Sequence, residues 1–161
     1  MIMAKTRTKN KYHQGYFVPT NPKKYYGEVN EIVFRSSWEL RAMKWFDSNP
    51  GILKWNSEGC VISYVCPTDN KPHRYFIDFA VQSARRDGTT QIILVEIKPA
   101  AQRVEPKYPG RQTKSYQAAC LTYLKNKAKW AAAKAYCAER GWQFVILDEY
   151  DLGIKPRPLN G

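Results

Sequence analysis

Residues 91–99 read QIILVEIKP, and few folds accommodate such a run. Its β-branched content and its length between turn signals predict a buried strand. Alternation puts Ile92, Leu94, Glu96 and Lys98 on one face and Ile93, Val95 and Ile97 on the other. An apolar strand therefore delivers a carboxylate and an ammonium side by side at its end. Burying charge is costly unless the charge is paired or bound to metal. Taken alone, Glu96 and Lys98 read as an ion pair leaving the core together. A second run changes that reading. Residues 75–81, YFIDFAV, predict another apolar strand with Asp78 in its middle, although Asp is depleted from strands and seldom buried without a partner. Adjacent strands that each carry a buried acid bring Asp78 and Glu96 within reach of one divalent cation. Hard Mg²⁺ takes oxygen ligands and keeps several waters, so a couple of carboxylates suffice.

The chain has 161 residues, 43% hydrophobic and 14% aromatic, which excludes a disordered chain and suffices for one domain with a real core. A formal net charge of +12 favours a polyanionic partner, most simply nucleic acid, although a ribosomal or membrane-surface protein would share that field. No apolar run is long enough for a bilayer, and the N-terminus lacks the apolar stretch of a secretory signal. A soluble, cytoplasmic protein is expected. Cys60, Cys66, Cys120 and Cys137 form no Cys-x-x-Cys pair and have no matched histidines, so their spacing argues against structural zinc. Two of them fall among alanines on an apparent helix, as reduced apolar side chains do.

Residues 1–27 lack Asp and Glu but carry Lys5, Arg7, Lys9, Lys11, Lys23 and Lys24 among Tyr12, Tyr16, Phe17, Tyr25 and Tyr26. Pro19 and Pro22 keep this segment extended. It reads as a basic arm whose aromatics anchor it to the domain rather than stack on bases. Next, FRSSWELRAMKWFDSNPG predicts a helix capped by Ser36 and closed at Pro50-Gly51. Trp38, Ala42, Trp45 and Phe46 should face the core. Glu39 completes a capping box with Ser36, its carboxylate bonding back to the Ser36 N–H. In the company of Asp78 and Glu96, the same acid is also a candidate metal or water ligand.

Short strands are expected at 52–55 and 60–65, then a turn at 67–72 tipped by Asp69-Asn70. His73 beside that turn reads as solvated and is left outside the site. Strands 75–81 and 91–98 should form an antiparallel hairpin through Asp87-Gly88. Residues 112–140 read as helix, with a break near Asn126 and core contacts from Tyr116, Ala119, Tyr123, Trp130 and Ala133. Lys125 and Lys129 share a face of that helix. Gly141 ends it, and WQFVIL at 142–147 is a further strand, so the helix permits a crossover and a mixed sheet. The expected organisation is an arm at 1–27, a domain at 28–154 and a mobile Pro-rich tail at 155–161.

Cutting a phosphodiester requires an in-line water, shielding of the equatorial oxygens and stabilisation of the leaving alkoxide. Carboxylate-held Mg²⁺ serves all three, and an adjacent lysine adds charge in the transition state. Asp78, Glu96 and Lys98 fill these parts. Glu39 completes the acid group, directly or through water, and the backbone C=O of Ile97 is a further candidate ligand. Arg35, Arg103, Lys107, Arg111, Lys125 and Lys129 are candidate DNA contacts that hold a polyanion over an acidic pocket. The sequence has no Gly-rich phosphate loop, Ser-His-Asp order or HExxH helix, so no nucleotide cofactor is expected.

Glu39 on a first helix, Ile77-Asp78 and Glu96-Ile97-Lys98 resemble the PD-(D/E)XK nuclease superfamily, with Ile77 standing where that family's pattern has Pro. The phrases FRSSWE, HRYFIDF, ILVEIKP, KNKAKW and GWQFVIL, in that order, are similar to the head-completion nucleases of T-even-type tailed phages. They are also similar to the transposon-end endonuclease subunits of heteromeric transposases. The resemblance implies an α/β (α+β) fold with a restriction-endonuclease-like mixed β-sheet flanked by helices. It also implies DNA cleavage, by endonuclease or exonuclease action, with Glu39, Asp78, Glu96 and Lys98 as catalytic residues and Mg²⁺ (or Mn²⁺ in its place) held by the acids. Phage head completion would add portal, neck or head proteins as partners, in the host cytoplasm or the virion. Two other readings remain: a non-catalytic DNA-binding neck protein, and a transposase-type end-cleaving subunit.

Overall fold

The computed structural model describes residues 14–159, so Lys5, Arg7, Lys9, Lys11 and Tyr12 of the expected arm lie outside the described residues. In chain order the elements are β1 (Gly15–Tyr16), β2 (Val33–Phe34), α1 (Ser37–Ser48), β3 (Ile52–Ser57), β4 (Val61–Cys66), β5 (Lys71–Phe76), β6 (Phe79–Ala84), β7 (Thr90–Ile97), α2 (Lys114–Arg140) and β8 (Gln143–Leu147). The main sheet has the order β3-β6-β7-β8. β3, β6 and β7 are antiparallel neighbours, and β8 joins β7 in parallel after the α2 crossover. This is the expected mixed sheet flanked by helices. The Asp-Gly turn behaves as its chemistry dictates: Gly88 has φ +83°, and the Asp87 carboxylate accepts the Thr89 N–H at 2.9 Å.

The alternation along β7 divides the core as expected. Val95 is buried with Met43 and Phe46 of α1, and Ile93 and Ile97 pack against that cluster. Leu94 is buried on the other side with Trp130, Ala133 and Cys137 of α2 and with Ile62, Tyr64 and Tyr75 of the β4–β5 hairpin. That hairpin is a separate two-stranded sheet.

Four local expectations are corrected. Residues 75–81 are not one strand. β5 ends at Phe76 and β6 starts at Phe79 in a different sheet, which leaves Asp78 at the step between them. The apolar pattern continues across the step because Ile77 is fully buried between the two sheets. α2 is one helix without a break at Asn126. No Gly or Pro interrupts it, and Asn126 is itself buried. On α1 the inward stripe is Ala42, Met43, Phe46 and Asp47, while Trp45 is 55% exposed and Trp38 only half-buried. Trp45 instead lies edge-on to Phe46 at the rim. On α2, Trp130 and Ala133 are buried as expected. Tyr116 and Tyr123 are half-buried and Ala119 is exposed, because no residue of the first three turns of α2 reaches the core.

Residues 14–27 lie on the domain. The Phe17 N–H donates to the Ile32 C=O at 2.8 Å. Phe17 and Tyr25 pack edge-on against Trp55, at 5.8 and 4.8 Å between ring centroids. Tyr16 and Tyr26 are exposed. The anchor at the helix is Asp47, 4% exposed, whose carboxylate accepts the N–H groups of Thr20 at 2.8 Å and Asn21 at 3.1 Å. Hydrogen bonds to a charged group contribute about 1.5–3 kcal/mol. Asp47→Ala should therefore lower stability by about 2 kcal/mol in urea unfolding and increase hydrogen exchange at residues 17–25 first.

Candidate active site

The β6–β7 register pairs Phe79 with Val95 at the end of the ladder, and Asp78 and Glu96 are the next residues beyond that pair. Three contacts fix Asp78 there. The Ile77 N–H donates to the Cys60 C=O at 3.0 Å, the Asp78 C=O accepts the Glu58 N–H at 3.0 Å, and Asp78 Oδ2 accepts the Ile97 N–H at 2.7 Å. Glu96 is buried. Its Oε2 accepts the Tyr75 hydroxyl at 2.7 Å, and its Oε1 lies 3.3 Å from Lys98 Nζ. The Lys98 N–H donates to the Leu147 C=O at 2.9 Å, so β8 steadies the end of β7.

Glu39 stands in the first turn of α1. Ser36 Oγ accepts its N–H at 3.1 Å, as a cap should. The Glu39 carboxylate bonds one residue further back than expected, accepting the Arg35 N–H at 2.8 Å. That correction leaves the helix capped, with Glu39 near enough to Asp78 and Glu96 for their charges to act on one another. Asp78 titrates at about 8, raised first by burial and then by the negative charge of Glu96, against the Ile97 N–H, with Glu39 adding to the rise. Glu39 is also raised, chiefly by burial, with Glu58 and Glu96 adding to it. The structure thus brings Glu39, Asp78, Glu96 and Lys98 into one neighbourhood. By chemistry an all-oxygen donor set suits a hard divalent cation, while the carboxylate oxygens of Glu39, Asp78 and Glu96 do not all lie within 4.8 Å of one another in this structure.

The candidate DNA contacts are distributed less evenly. Arg35 sits at the rim and is ion-paired with Glu58. Lys129 Nζ lies 5.4 Å from the Tyr75 ring centroid. Arg103 is engaged with Asp148 at 3.0 Å. Lys107, Arg111 and Lys125 are exposed, and the charge of Lys125 acts on Cys66 and Asp69 at the hairpin turn. His73 lies outside the pocket, paired with Asp69.

Two pocket residues escape sequence reasoning. Tyr75 holds Glu96 from a different sheet, and no spacing rule connects them. Its hydroxyl is raised well above the usual range, first by burial and then by Glu96, so it remains a donor. Glu58 has φ +55°, a left-handed conformation that costs a non-Gly residue energy and tends to mark functional sites.

The sequence comparisons place this mixed-sheet domain in an endonuclease family. Residues 49–149 match the family described as TnsA-like endonuclease N terminal, and the chain belongs to that family. The head completion nuclease of Enterobacteria phage T4 is 36% identical over 141 residues, 85% of this chain and 91% of that protein. No solved structure matches.

The raised Asp78 sets a pH dependence. Between the ordinary carboxylate range and about 8, the folded chain binds more protons than the unfolded chain, so its stability falls as pH rises through that window. Thermal melts in the presence of a chelator should show this decline, and Asp78→Asn should flatten it. An equal decline in both proteins would place the proton elsewhere.

Proposed function

We propose that the protein is a divalent-metal-dependent DNA endonuclease that acts in phage head completion. The observation that carries this reading is the placement of Asp78 beside Glu96 where β6 begins and β7 ends, with Lys98 on Glu96. The family's description as an endonuclease and the T4 relative's name support it. Asp78, Glu96, the Ile97 C=O and Glu39 (directly or through water) would hold Mg²⁺, or Mn²⁺ in its place. When bound, the cation supplies an activated water and neutralises charge developing on the phosphate.

The chain's own residues do the rest. The Ile97 N–H fixes one oxygen of Asp78 and leaves the other for the cation. Tyr75 and Lys98 divide the two oxygens of Glu96 and so set its orientation. Lys98 is also placed to donate to the attacking water or to the charge that builds up in the transition state. Arg35, Arg103, Lys107, Arg111, Lys125 and Lys129 would bind backbone phosphates, a contact that carries no sequence information. The helix from Lys114 to Ala138 contains no acid, which suits such a track. A head-completion role makes DNA the substrate and portal, neck or head proteins the partners, in the host cell during assembly.

Purified protein should nick circular plasmid with Mg²⁺ and not with EDTA. Glu96→Ala and Lys98→Ala should each abolish nicking while circular dichroism stays native. Undiminished cleavage by both would overturn the assignment. Tyr75→Phe should cost about 10–100-fold and shift the half-saturating Mg²⁺ concentration upward, as loss of a positioning residue would.

A further inference from the structure

We propose that the tip of the β4–β5 hairpin is a second metal site, which takes one Zn²⁺-class cation through Cys66 Sγ, Asp69 Oδ2 and His73 Nε2. This inference does not depend on the nuclease reading. The hairpin register pairs Tyr64 with His73 and Cys66 with Lys71, so Cys66 and His73 are diagonal neighbours on one face. The turn between the strands returns Asp69 to the same place. One ligand atom from each of the three lies within 4.8 Å of the others, and His73 Nε2 is already 2.7 Å from Asp69 Oδ2. A tetrahedral zinc holds its ligand atoms roughly 3.3–3.6 Å apart. Closure therefore needs only small rotations of the two exposed side chains about a buried Cys66.

The donors differ in kind from those of the active site. A thiol, an imidazole and a carboxylate select a borderline-soft transition metal, whereas the all-oxygen pocket selects Mg²⁺. Asp69 is arranged for such a role, because the Lys71 N–H occupies its Oδ1 at 3.0 Å and leaves Oδ2 to face His73. The Cys66 thiol is lowered, first by the Thr68 hydroxyl at 3.1 Å and then by the Thr68 backbone, with Lys125 of α2 contributing. Binding would release the Cys66 proton to solvent. The thiolate and carboxylate would then balance the charge of the cation, so that Lys125, the facing cation, meets a neutral site. The exposed side of Asp69 and His73 leaves room for water as a fourth ligand.

The spacing here, Cys-x₂-Asp-x₃-His, contains one cysteine rather than a pair, which is why counting cysteines argued against zinc. The site also has something to hold. A lone two-stranded ribbon is marginal by itself, and β5 carries the Tyr75 that reaches Glu96. A cation at the tip would clamp the strand that orients the active-site acid.

The test uses the full chain, metal-stripped and kept reduced, with Co²⁺ as the probe. One equivalent should give a near-ultraviolet thiolate-to-cobalt band that Zn²⁺ displaces. Glu96→Ala should keep the band and Cys66→Ser should lose it. Absence of the band in the wild type, or its full retention in Cys66→Ser, overturns the proposal. Should Cys66→Ser fail to fold, the exposed His73→Gln decides: Zn²⁺ affinity measured against a chromophoric chelator should fall at least about 10-fold, and unchanged affinity overturns the site. Hydrogen exchange across residues 61–76 should slow with Zn²⁺ and not with Mg²⁺.

Discussion

Two carboxylates lie close together because the end of a backbone ladder and one side-chain hydrogen bond bring them there. Asp78 immediately precedes Phe79 and Glu96 immediately follows Val95, the last pair of the β6–β7 ladder, and the Asp78 carboxylate accepts the Ile97 N–H. Burial first and the Glu96 charge second raise Asp78, and on a flexible loop both would drive the two acids apart and into water. Here they are opposed by the burial of Ile77, Phe79, Leu94 and Val95, each almost free of solvent contact. Such side chains contribute about 1.5–3 kcal/mol each when fully buried, which is enough to hold an electrostatically unfavourable pair in place. The apolar strands are therefore the cause of the acidic site as well as its scaffold.

Legibility in the sequence followed the range of the interaction. The division of faces on β7, the Asp-Gly hairpin and the Ser36 cap rest on chemistry within a few residues and could be read directly, whereas for the α2 crossover the sequence showed only that a helix between two strands permits one. The step at Asp78 could not, since YFIDF keeps its apolar character while passing between sheets. Trp45 misled for a related reason: helical spacing defines a stripe, but only the sheet's position decides which side of the stripe is covered. The contacts of Tyr75 and Glu58 depend on register between segments and left no local trace. The acids themselves were conspicuous because charge on an apolar strand needs a reason.

Charge is distributed as sharply as apolarity. The chain carries 26 Lys and Arg against 14 Asp and Glu, yet acids gather where β6 begins and β7 ends. Several other acids are engaged in structure: Asp47 holds the N-terminal segment, Asp148 takes Arg103, and the Glu149 carboxylate accepts the Ala100 N–H at 2.9 Å. These acids keep their charge, so the long-range field follows from the excess of 26 basic over 14 acidic residues. That excess lets a small acidic pocket coexist with a surface that attracts a polyanion.

Tyr75 joins the two halves of this arrangement. Its ring belongs to the α2-side core with Trp130 and Leu94, its face receives Lys129, and its hydroxyl ends on Glu96. A displacement of the hairpin would therefore reach the carboxylate through one rigid side chain, with two torsions and no slack in a close-packed core. The break that separates β5 from β6 has the same consequence. Because Asp78 follows two residues after β5, the hairpin that holds Glu96 through Tyr75 also leads directly into the second acid. Both carboxylates consequently depend on how firmly one short ribbon is seated against α2.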